Sequence, residues 1–283
     1  MRFLLSLLAA ILCMTAPAMS CRAEGSSVTM LCLNAGKADC ILLEVEGHHY
    51  LIDTGYKKNS DQLLDMLTHE HVDHLDGVFI THNHKDHYGG LTALYKSSVK
   101  IDAIYTSAYC EDGIGPKHPA VKAAALRGQE VQLLKSGDSV TITDTACFRV
   151  LAPFRLNTDN ENNNSLVMRL ETPHGNIMLT GDMKFEEEHD LLKSGADMTA
   201  DVLKVAFHGD DTSTSSSFLS VVRPKAAVIS TSTAEEKDTP SRSTLFRLAS
   251  IGCKVYVTQD AVSAVRVTLS HGDLSVDMEN WQQ

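Results

Sequence analysis

The sequence lacks the paired cysteines that mark disulfide-stapled and zinc-ribbon proteins. Seven cysteines are present, and none forms a Cys-x-x-Cys pair. Cys32, Cys40 and Cys147 lie inside apolar, strand-like runs, which is typical of small core residues. The pattern therefore excludes a disulfide framework and a zinc ribbon, and it leaves open a single bridge in an oxidising compartment.

Positive charge and flexible linkers are also scarce. The chain has 25 Lys and Arg against 36 Asp and Glu, a net charge of −11. This balance argues against a protein that coats nucleic acid through a broad basic surface, but not against a nuclease, because bound divalent cations can supply positive charge at a cleavage site. No Pro-, Gly- or Ser-rich linker and no repeat interrupts the chain, so we expect one domain over residues 27–280.

The first residues form the longest apolar stretch. Met1 and Arg2 precede an apolar run from Phe3 to Met14 that is short for a membrane span. We predict a signal peptide over residues 1–23, and hence a secreted protein, extracellular or periplasmic. Cleavage could follow Ala18 or the segment at Cys21, and a lipoprotein box ending at Cys21 is an alternative that would anchor the protein to a membrane. A cytosolic protein with an apolar N-terminal helix is the remaining alternative.

The rest of the chain alternates between short strands and helices. Strand blocks are followed by strand–helix alternation, and this sequence of elements occurs twice. Asp61 to His69, for example, has helical spacing of its apolar residues, and Ile101 to Thr106 is predicted as one strand. Two sheet-plus-helix halves packed sheet to sheet would form an α/β protein, specifically a four-layer α/β/β/α sandwich.

Four potential metal ligands follow directly after the apolar run Gly77 to Ile80, in the segment Thr81-His82-Asn83-His84-Lys85-Asp86-His87. Side chains two apart on an extended chain point the same way, so His82 and His84 can face one cation. After the backbone turns, Asp86 and His87 can face a second. Imidazole and carboxylate together suit Zn²⁺, with Mn²⁺ or Fe²⁺ as alternatives at carboxylate-rich positions.

Polar residues also end three other apolar runs, and these are Asp53, Asp182 and His208. Asn164 precedes a fourth run. Strand ends are where α/β folds commonly place function. Taken singly, however, each of these residues is explained as well by ordinary turn chemistry.

Taken together and in order, these residues resemble the metallo-β-lactamase fold superfamily. The histidine motif has Asp53-Thr54-Gly55 before it and Thr180-Gly181-Asp182 and then His208 after it. Three further segments resemble the metallo-β-lactamase-like domain of the ComEC competence proteins: Asn34 to Cys40, Asn163 to Val167, and Leu203 to Gly209. No polytopic channel segment accompanies them, so we expect a free-standing secreted relative of that domain.

The resemblance implies a role for each of these residues. It implies that His82 and His84 bind a first metal, that Asp86, His87 and His208 bind a second, and that Asp182 bridges both. Asp53 is similar to the family's aspartate that braces the ligand loop through hydrogen bonds. Asp39 matches an aspartate of the ComEC-like pattern, for which two roles are open: a hydrogen bond that supports a metal ligand, or formation of a turn.

The sequence departs from the family at two positions. Many superfamily hydrolases supply a third histidine to the first metal, whereas this chain has Asn164-Ser165 there. The first metal site would then be open, weakly held, or completed by Asn164 or water. Phe207 stands where the ComEC-like pattern has a histidine before His208, so any role of that histidine is lost.

Two divalent cations, Zn²⁺ or Mn²⁺, would activate a water and neutralise charge on the substrate, with no serine, cysteine or lysine nucleophile. Asp86 and Asp182 are the candidate catalytic carboxylates, and Asp210 is another candidate for proton transfer. Thr212-Ser213 could add donors to a phosphate. By resemblance, we expect a phosphodiesterase or nuclease acting on nucleic acid or nucleotides. The alternatives are a hydrolase of lactones, β-lactams or thioesters, and a non-catalytic metal-binding accessory module; protein partners are not predicted.

Overall fold

The computed structural model describes residues 27–281, so the predicted leader and the lipoprotein box at Cys21 lie outside the described residues. The strands in this range are β1 (Val28–Leu33), β2 (Ile41–Val45), β3 (His48–Ile52), β4 (His74–Leu75), β5 (Gly77–Ile80), β6 (Lys100–Ile101), β7 (Ile104–Ser107), β8 (Val131–Leu134), β9 (Ser139–Thr141), β10 (Cys147–Ala152), β11 (Val167–Glu171), β12 (Ile177–Leu179), β13 (Val202–Lys204), β14 (Ala226–Ile229), β15 (Lys254–Val257), β16 (Ala264–Ser270) and β17 (Asp273–Glu279). The helices are α1 (Ser60–His69), α2 (Lys85–Tyr88), α3 (Leu91–Lys96), α4 (Pro119–Ala125), α5 (Phe185–Ser194), α6 (Ser216–Val222) and α7 (Arg242–Ser250). Short 3-10 turns lie at Lys57–Asn59, Glu161–Asn164, Ala206–Gly209 and Thr258–Asp260.

Three separate hydrophobic cores define the layers. The central core joins the inner faces of two sheets and contains side chains such as Phe79 and Phe148. A second core packs α1, α3 and α4 against the outer face of the first sheet. A third packs α5, α6 and α7 against the outer face of the second sheet, around Phe218. The order helix, sheet, sheet, helix confirms the predicted four-layer α/β/β/α sandwich.

Each sheet combines an antiparallel meander with parallel strands. The first sheet has the order β17–β16–β1–β2–β3–β5–β7–β8, and the second β15–β14–β13–β12–β11–β10–β9. In the first sheet β3, β5, β7 and β8 run parallel, and in the second β12 to β15 do so. The C-terminal hairpin β16–β17 returns to the first sheet beside β1. Each half therefore presents the carboxyl ends of several parallel strands at one edge, where functional loops usually lie.

One predicted strand is split by the structure. The segment from Ile101 to Thr106 contains the end of β6 and most of β7, which belong to different sheets. β6 pairs with β4 in a small side ribbon, where the Asp102 N–H donates to the Leu75 carbonyl. β7 begins two residues later beside β5. The prediction of one continuous strand was wrong because two short pairings compete for adjacent residues.

The described residues contain five free cysteines and no disulfide. Cys32 and Cys40 are buried in the hydrophobic cores, as predicted. Cys147 is half-buried and lies in none of the three cores, so its prediction as a core residue was wrong. No helix among residues 27–281 combines the length and hydropathy needed to cross a bilayer.

Candidate metal centre

The site forms where the carboxyl ends of parallel strands from both sheets meet. β3 is followed by Asp53, β5 by the histidine loop, β12 by Asp182 and β13 by His208. The loop after β5 closes in the one-turn helix α2, which turns Asp86 and His87 back toward the sheet edge. The two halves of the chain thus bring together residues that are more than 120 positions apart in sequence.

Asp182 lies at the centre of the cluster. Its Oδ2 atom is 3.3 Å from His87 Nε2, 3.4 Å from His208 Nε2 and 3.8 Å from His82 Nε2. Asp86 closes the group, with its Oδ2 3.5 Å from His208 Nε2. Four potential ligands therefore converge at one place: Asp86, His87, Asp182 and His208.

A second set of potential ligands shares Asp182 with the first. His82, His84 and Asp182 bring one ligand atom each to within 4.8 Å of one another. His82 Nε2 is 2.9 Å from His84 Nδ1. His82 is buried, whereas His84 is partly exposed. The structure brings together all six residues that the sequence analysis named as ligands, in two sets joined by one carboxylate.

The donor atoms fit divalent metal ions. Ligand atoms about 2.1 Å from a tetrahedral zinc ion lie roughly 3.4 Å from each other. The separations around Asp182 and His208 match this spacing and are too long for strong hydrogen bonds. Three buried atoms of the cluster also have no hydrogen-bond partner within residues 27–281, namely His87 Nε2, His208 Nε2 and Asp182 Oδ1. Buried polar atoms without partners are costly, and a bound cation would satisfy them.

The electrostatics of the cluster favour a carboxylate at its centre. Burial alone would raise the pKa of Asp182, but the imidazoles of His208 and His87 hold it well below its usual value. Burial lowers the pKa of His208, yet the nearby Asp182 and Asp86 carboxylates raise it to about 9. His82 differs, because burial and the neighbouring His87 lower its pKa well below the usual value. The ionised carboxylate and neutral His82 are the forms that bind metals.

Asp53 fixes the orientation of His87. Its Oδ2 lies 2.7 Å from His87 Nδ1 and also accepts from the Thr81 hydroxyl at 2.8 Å, while its Oδ1 accepts from the Thr81 N–H at 2.8 Å. Asp53 is fully buried and adopts a left-handed backbone conformation, with φ of 59°. A carboxylate on Nδ1 selects the tautomer that leaves Nε2 free for a cation.

Asp39 lies directly behind His208 and pairs with a residue that the sequence analysis did not assign a role. Its Oδ2 is 2.8 Å from the Nζ atom of Lys204, and both side chains are almost completely buried. Lys204 also donates to the Val205 carbonyl, and His208 Nδ1 donates to the Ser230 carbonyl at 2.8 Å. A lysine inside the apolar strand β13 was the available signal, because such a buried charge needs a partner.

The side chain of Asn164, which was one of the alternatives for completing the first metal site, is bonded within its own loop. Its Oδ1 accepts from the Asn157 N–H at 2.8 Å, and its Nδ2 donates to the Asn157 carbonyl and to Glu161, each at 2.9 Å. The polar atoms of Asn164 are therefore used inside its own loop. Ser165 points to the site instead, because its Oγ accepts from the Asp182 N–H at 3.1 Å.

The expected phosphate donors at Thr212-Ser213 are also committed elsewhere. The buried Ser213 hydroxyl donates to the Ala206 carbonyl, and the Thr212 hydroxyl donates to Asp210 Oδ1. α6 begins only at Ser216. The prediction of a phosphate-binding pair was wrong for Ser213, because its hydroxyl holds the turn that carries His208.

Phe207 places an aromatic ring beside the metal cluster. It adopts a left-handed conformation, with φ of 47° and ψ of 47°, that is unusual for a bulky residue. Its ring is partly exposed, and the Nζ atoms of Lys184 and Lys37 lie 4.9 Å and 5.6 Å from the ring centroid. Phe207 replaces the histidine of the ComEC-like pattern, and its ring contacts the ammonium groups of Lys37 and Lys184 next to His208.

Comparisons with known proteins agree with this geometry. The model of the metallo-beta-lactamase superfamily matches residues 33–233. "ComE operon protein 3" of Bacillus subtilis is 31% identical over 169 residues, which are 59% of this chain and 21% of that protein. "Competence protein ComA" of Neisseria gonorrhoeae is 27% identical over 241 residues, covering 84% of this chain and 32% of that protein. The chain thus spans between a fifth and a third of these curated relatives.

Solved structures show the same fold at low sequence identity. The metallo hydrolase Igni18 from Ignicoccus hospitalis is 12% identical to this chain, with a TM-score of 0.53. The likeness covers 90% of this chain and all of that one. At this identity the comparison establishes the architecture and not the reaction.

Proposed function

Because this chain belongs to the metallo-beta-lactamase superfamily of metal-dependent hydrolases, we propose that it hydrolyses phosphodiesters, acting as a nuclease or nucleotide phosphodiesterase with two divalent metal ions, Zn²⁺ or Mn²⁺. The observation that carries the proposal is the position of Asp182, whose Oδ2 faces the ring nitrogens of His87, His208 and His82 at 3.3 to 3.8 Å. One carboxylate shared by two ligand sets is the arrangement that a binuclear centre requires.

The protein's own residues would hold and orient this centre. When bound, two divalent ions lower the pKa of a water and neutralise charge on the ester oxygens. Asp182, at 2% side-chain exposure, holds the two ligand sets together and is shielded from solvent. Asp86, at 16%, is more accessible to solvent, and although burial would raise its pKa, the imidazoles of His208 and His87 hold that pKa well below the usual value, so that it stays an ionised ligand.

Two features support a phosphodiester rather than another ester. Lys184 places its ammonium group over Phe207, immediately beside His208, where it can contact a non-bridging phosphate oxygen. Lys37 lies over the same ring and is paired with Glu236 at 3.6 Å. One of the relatives is named a competence protein, which is consistent with a nucleic-acid substrate. The pattern over residues 1–23 further supports an exported protein, extracellular or periplasmic, that meets nucleic acid or nucleotides outside the cytoplasm.

The ring of Phe207 favours one alternative. Phe207 is a partly exposed aromatic side chain next to the metal ligand His208, and it could contact an apolar acyl group of a substrate. A lactone, β-lactam or thioester is therefore the second candidate substrate class. A metal-binding module without catalysis would bind the ions and turn over none of these compounds.

The proposal is tested by metal content and turnover of the purified protein reconstituted with Mn²⁺ or Zn²⁺. We expect two ions per chain and hydrolysis of bis-p-nitrophenyl phosphate and of DNA. The Asp86→Ala variant should lose this activity, whereas Asp277→Ala on the exposed edge strand β17 should retain it. Two bound metals with turnover only of nitrocefin or a homoserine lactone would replace the phosphodiester with the second candidate, and the absence of bound metal would refute the proposal.

A further inference from the structure

A groove borders the loop that carries four of the potential metal ligands, on the side of the first sheet. It has a volume of about 1160 Å³ and lies between the turn after β3, the start of α3 and the segment that leads into α4. Asn83 and Lys85 line it, and both belong to the loop that carries His82, His84 and Asp86. The groove exceeds the size of an ordinary small-molecule pocket, which is roughly 300–1000 Å³, so it suits an extended ligand.

The groove is positively charged on a protein that is strongly acidic. Two carboxylates, Asp112 and Glu235, line it together with six exposed lysines: Lys57, Lys58, Lys85, Lys96, Lys117 and Lys122. Among residues 27–281, only Lys58 of these six has an ion-pair partner, and that partner is Glu235. Five unpaired lysines on one concave surface repel each other, and a polyanion bound in the groove would offset this repulsion.

Two tyrosines stand on the wall of the groove nearest the metal loop. Tyr56 and Tyr88 are partly exposed, and the Nζ atom of Lys58 lies 5.1 Å from the centroid of the Tyr56 ring. Gly89 lets the backbone after Tyr88 pack directly against the backbone of Tyr56 and Lys57, because a Cβ atom at this position would lie 2.3 Å from the Lys57 nitrogen and 2.7 Å from the Tyr56 carbonyl carbon. Aromatic rings between lysines are the combination that binds unpaired bases and their phosphates.

We propose that this groove binds a single-stranded nucleic acid and guides it to the metal centre. The lysines contact successive phosphates, and Tyr56 and Tyr88 stack with unpaired bases, which a duplex does not offer. The inference rests on the proposed function, since it takes the strand in the groove to be the substrate of the metal centre.

The test measures binding of a fluorescent, cleavage-resistant phosphorothioate oligonucleotide to the metal-reconstituted protein over a series of salt concentrations. The variant Lys96→Gln/Lys117→Gln/Lys122→Gln removes three charges distant from the metal ligands. We expect about a tenfold or larger loss of affinity near 0.1 M salt, and a slope of log affinity against log salt that is smaller by about 2, from roughly 0.7 per phosphate contact. The matched control Lys135→Gln/Lys193→Gln/Lys254→Gln changes three exposed lysines outside the groove and should bind as the wild type does.

A second variant separates stacking from charge. Tyr88→Leu keeps an apolar side chain but removes the ring, and it should weaken binding roughly tenfold without changing the salt slope. Metal content and the thermal unfolding midpoint establish that each variant is folded.

Several results would overturn the groove proposal. The first is a triple lysine variant that binds the oligonucleotide with the same affinity and the same salt slope as the wild type. The second is a protein that binds anionic phospholipid vesicles, loses this binding in the triple lysine variant, and does not bind the oligonucleotide. A wild-type protein that hydrolyses bis-p-nitrophenyl phosphate but does not bind single strands would overturn the groove and leave the proposed function standing. Groove-dependent binding without hydrolysis of any phosphodiester would support the groove and refute the proposed function.

Discussion

Two clusters of buried charged side chains meet at His208, and they differ in whether their polar atoms are satisfied. On the Nε2 side, three buried atoms have no hydrogen-bond partner among residues 27–281, namely His87 Nε2, His208 Nε2 and Asp182 Oδ1. On the Nδ1 side, Asp39 and Lys204 form a close ion pair at 2.8 Å, and Nδ1 itself donates to the Ser230 carbonyl. The first cluster leaves the Nε2 atoms of two histidines unpaired, whereas the second leaves only oxygens without hydrogen bonds, Asp39 Oδ1 and Ser230 Oγ, and balances its carboxylate with an ammonium group.

The difference separates a binding site from its support. Both regions contain acidic residues and histidines close enough to hold a metal ion, including a group of Asp39, Asp53 and His87. Composition and proximity therefore do not distinguish them. The distinction lies in unpaired nitrogens aimed at one point in the first cluster, and in an ammonium group that already neutralises Asp39 in the second.

The largest effect is expected on removing the shared carboxylate. Asp182→Asn should lower metal affinity at least about a hundredfold and bis-p-nitrophenyl phosphate turnover about a thousandfold, because Asp182 belongs to both ligand sets. Metal content and steady-state kinetics measure both changes. Asp277→Asn, an isosteric change on β17, is the control. An Asp182→Asn variant that retains two ions and full turnover would show that Asp182 is not shared.

The supporting pair should matter for stability. Lys204→Met leaves Asp39 buried without a cation and should lower the free energy of unfolding by about 3–5 kcal/mol, measured by urea denaturation of the metal-free protein. Lys225→Met breaks an exposed pair with Asp201 that has the same 2.8 Å separation, and it should cost about 1 kcal/mol or less. Equal losses in the two variants would contradict the distinction between the clusters.

Adding Asp39→Asn to Lys204→Met tests the pairing itself. The double variant should recover much of the lost stability, because it removes the unpaired charge that the single variant leaves behind. If the two substitutions are instead additive, Lys204 stabilises the fold through its packing and not through Asp39.

A smaller effect is expected where the protein orients a ligand without binding the metal. Asp53→Asn retains the size of the side chain but no longer selects the His87 tautomer, so metal affinity should fall about 10- to 100-fold. Competition with a chelator of known affinity measures the change. Asp76→Asn provides a control, because Asp76 makes a similar contact to His48 away from the site. Unchanged affinity in Asp53→Asn would mean that packing alone orients His87.

The sequence predicted the parts of this site that are local or that follow a strand. One short segment, residues 82–87, contains four of the ligands: His82, His84, Asp86 and His87. The alternation of side chains along an extended chain brings the first two to one face. The position of Asn164 could not be predicted, because hydrogen bonds to Asn157 and Glu161 within its loop decide where it points. The pairing of Lys204 with Asp39 joins residues 165 positions apart, and only tertiary structure reveals it.

A third kind of buried carboxylate sharpens the comparison. Among residues 27–281, Glu187 has no ion-pair partner and belongs to no group of potential metal ligands, and the nearby Arg155 forms its ion pair with Asp190 instead. Glu187 is 3% exposed and accepts one hydrogen bond, from the Phe154 N–H at 3.2 Å. Burial raises its pKa from 4.5 to about 7. A carboxyl with a raised folded pKa is protonated more readily in the native state, so the free energy of unfolding should decrease as pH rises from about 4.5 to about 7.

Glu187→Gln should remove this contribution and raise the free energy of unfolding at pH 8 by about 1–3 kcal/mol relative to the wild type, with a smaller gain at pH 5. Urea denaturation at both pH values, in chelator so that metal binding does not contribute, measures the difference. Titration of the metal ligands is common to both proteins and cancels in the comparison. The exposed Glu130→Gln should leave the pH dependence unchanged. If Glu187→Gln showed the wild-type dependence, Glu187 would be ionised in the fold, and burial without a counter-ion would not by itself distinguish this carboxylate from Asp39.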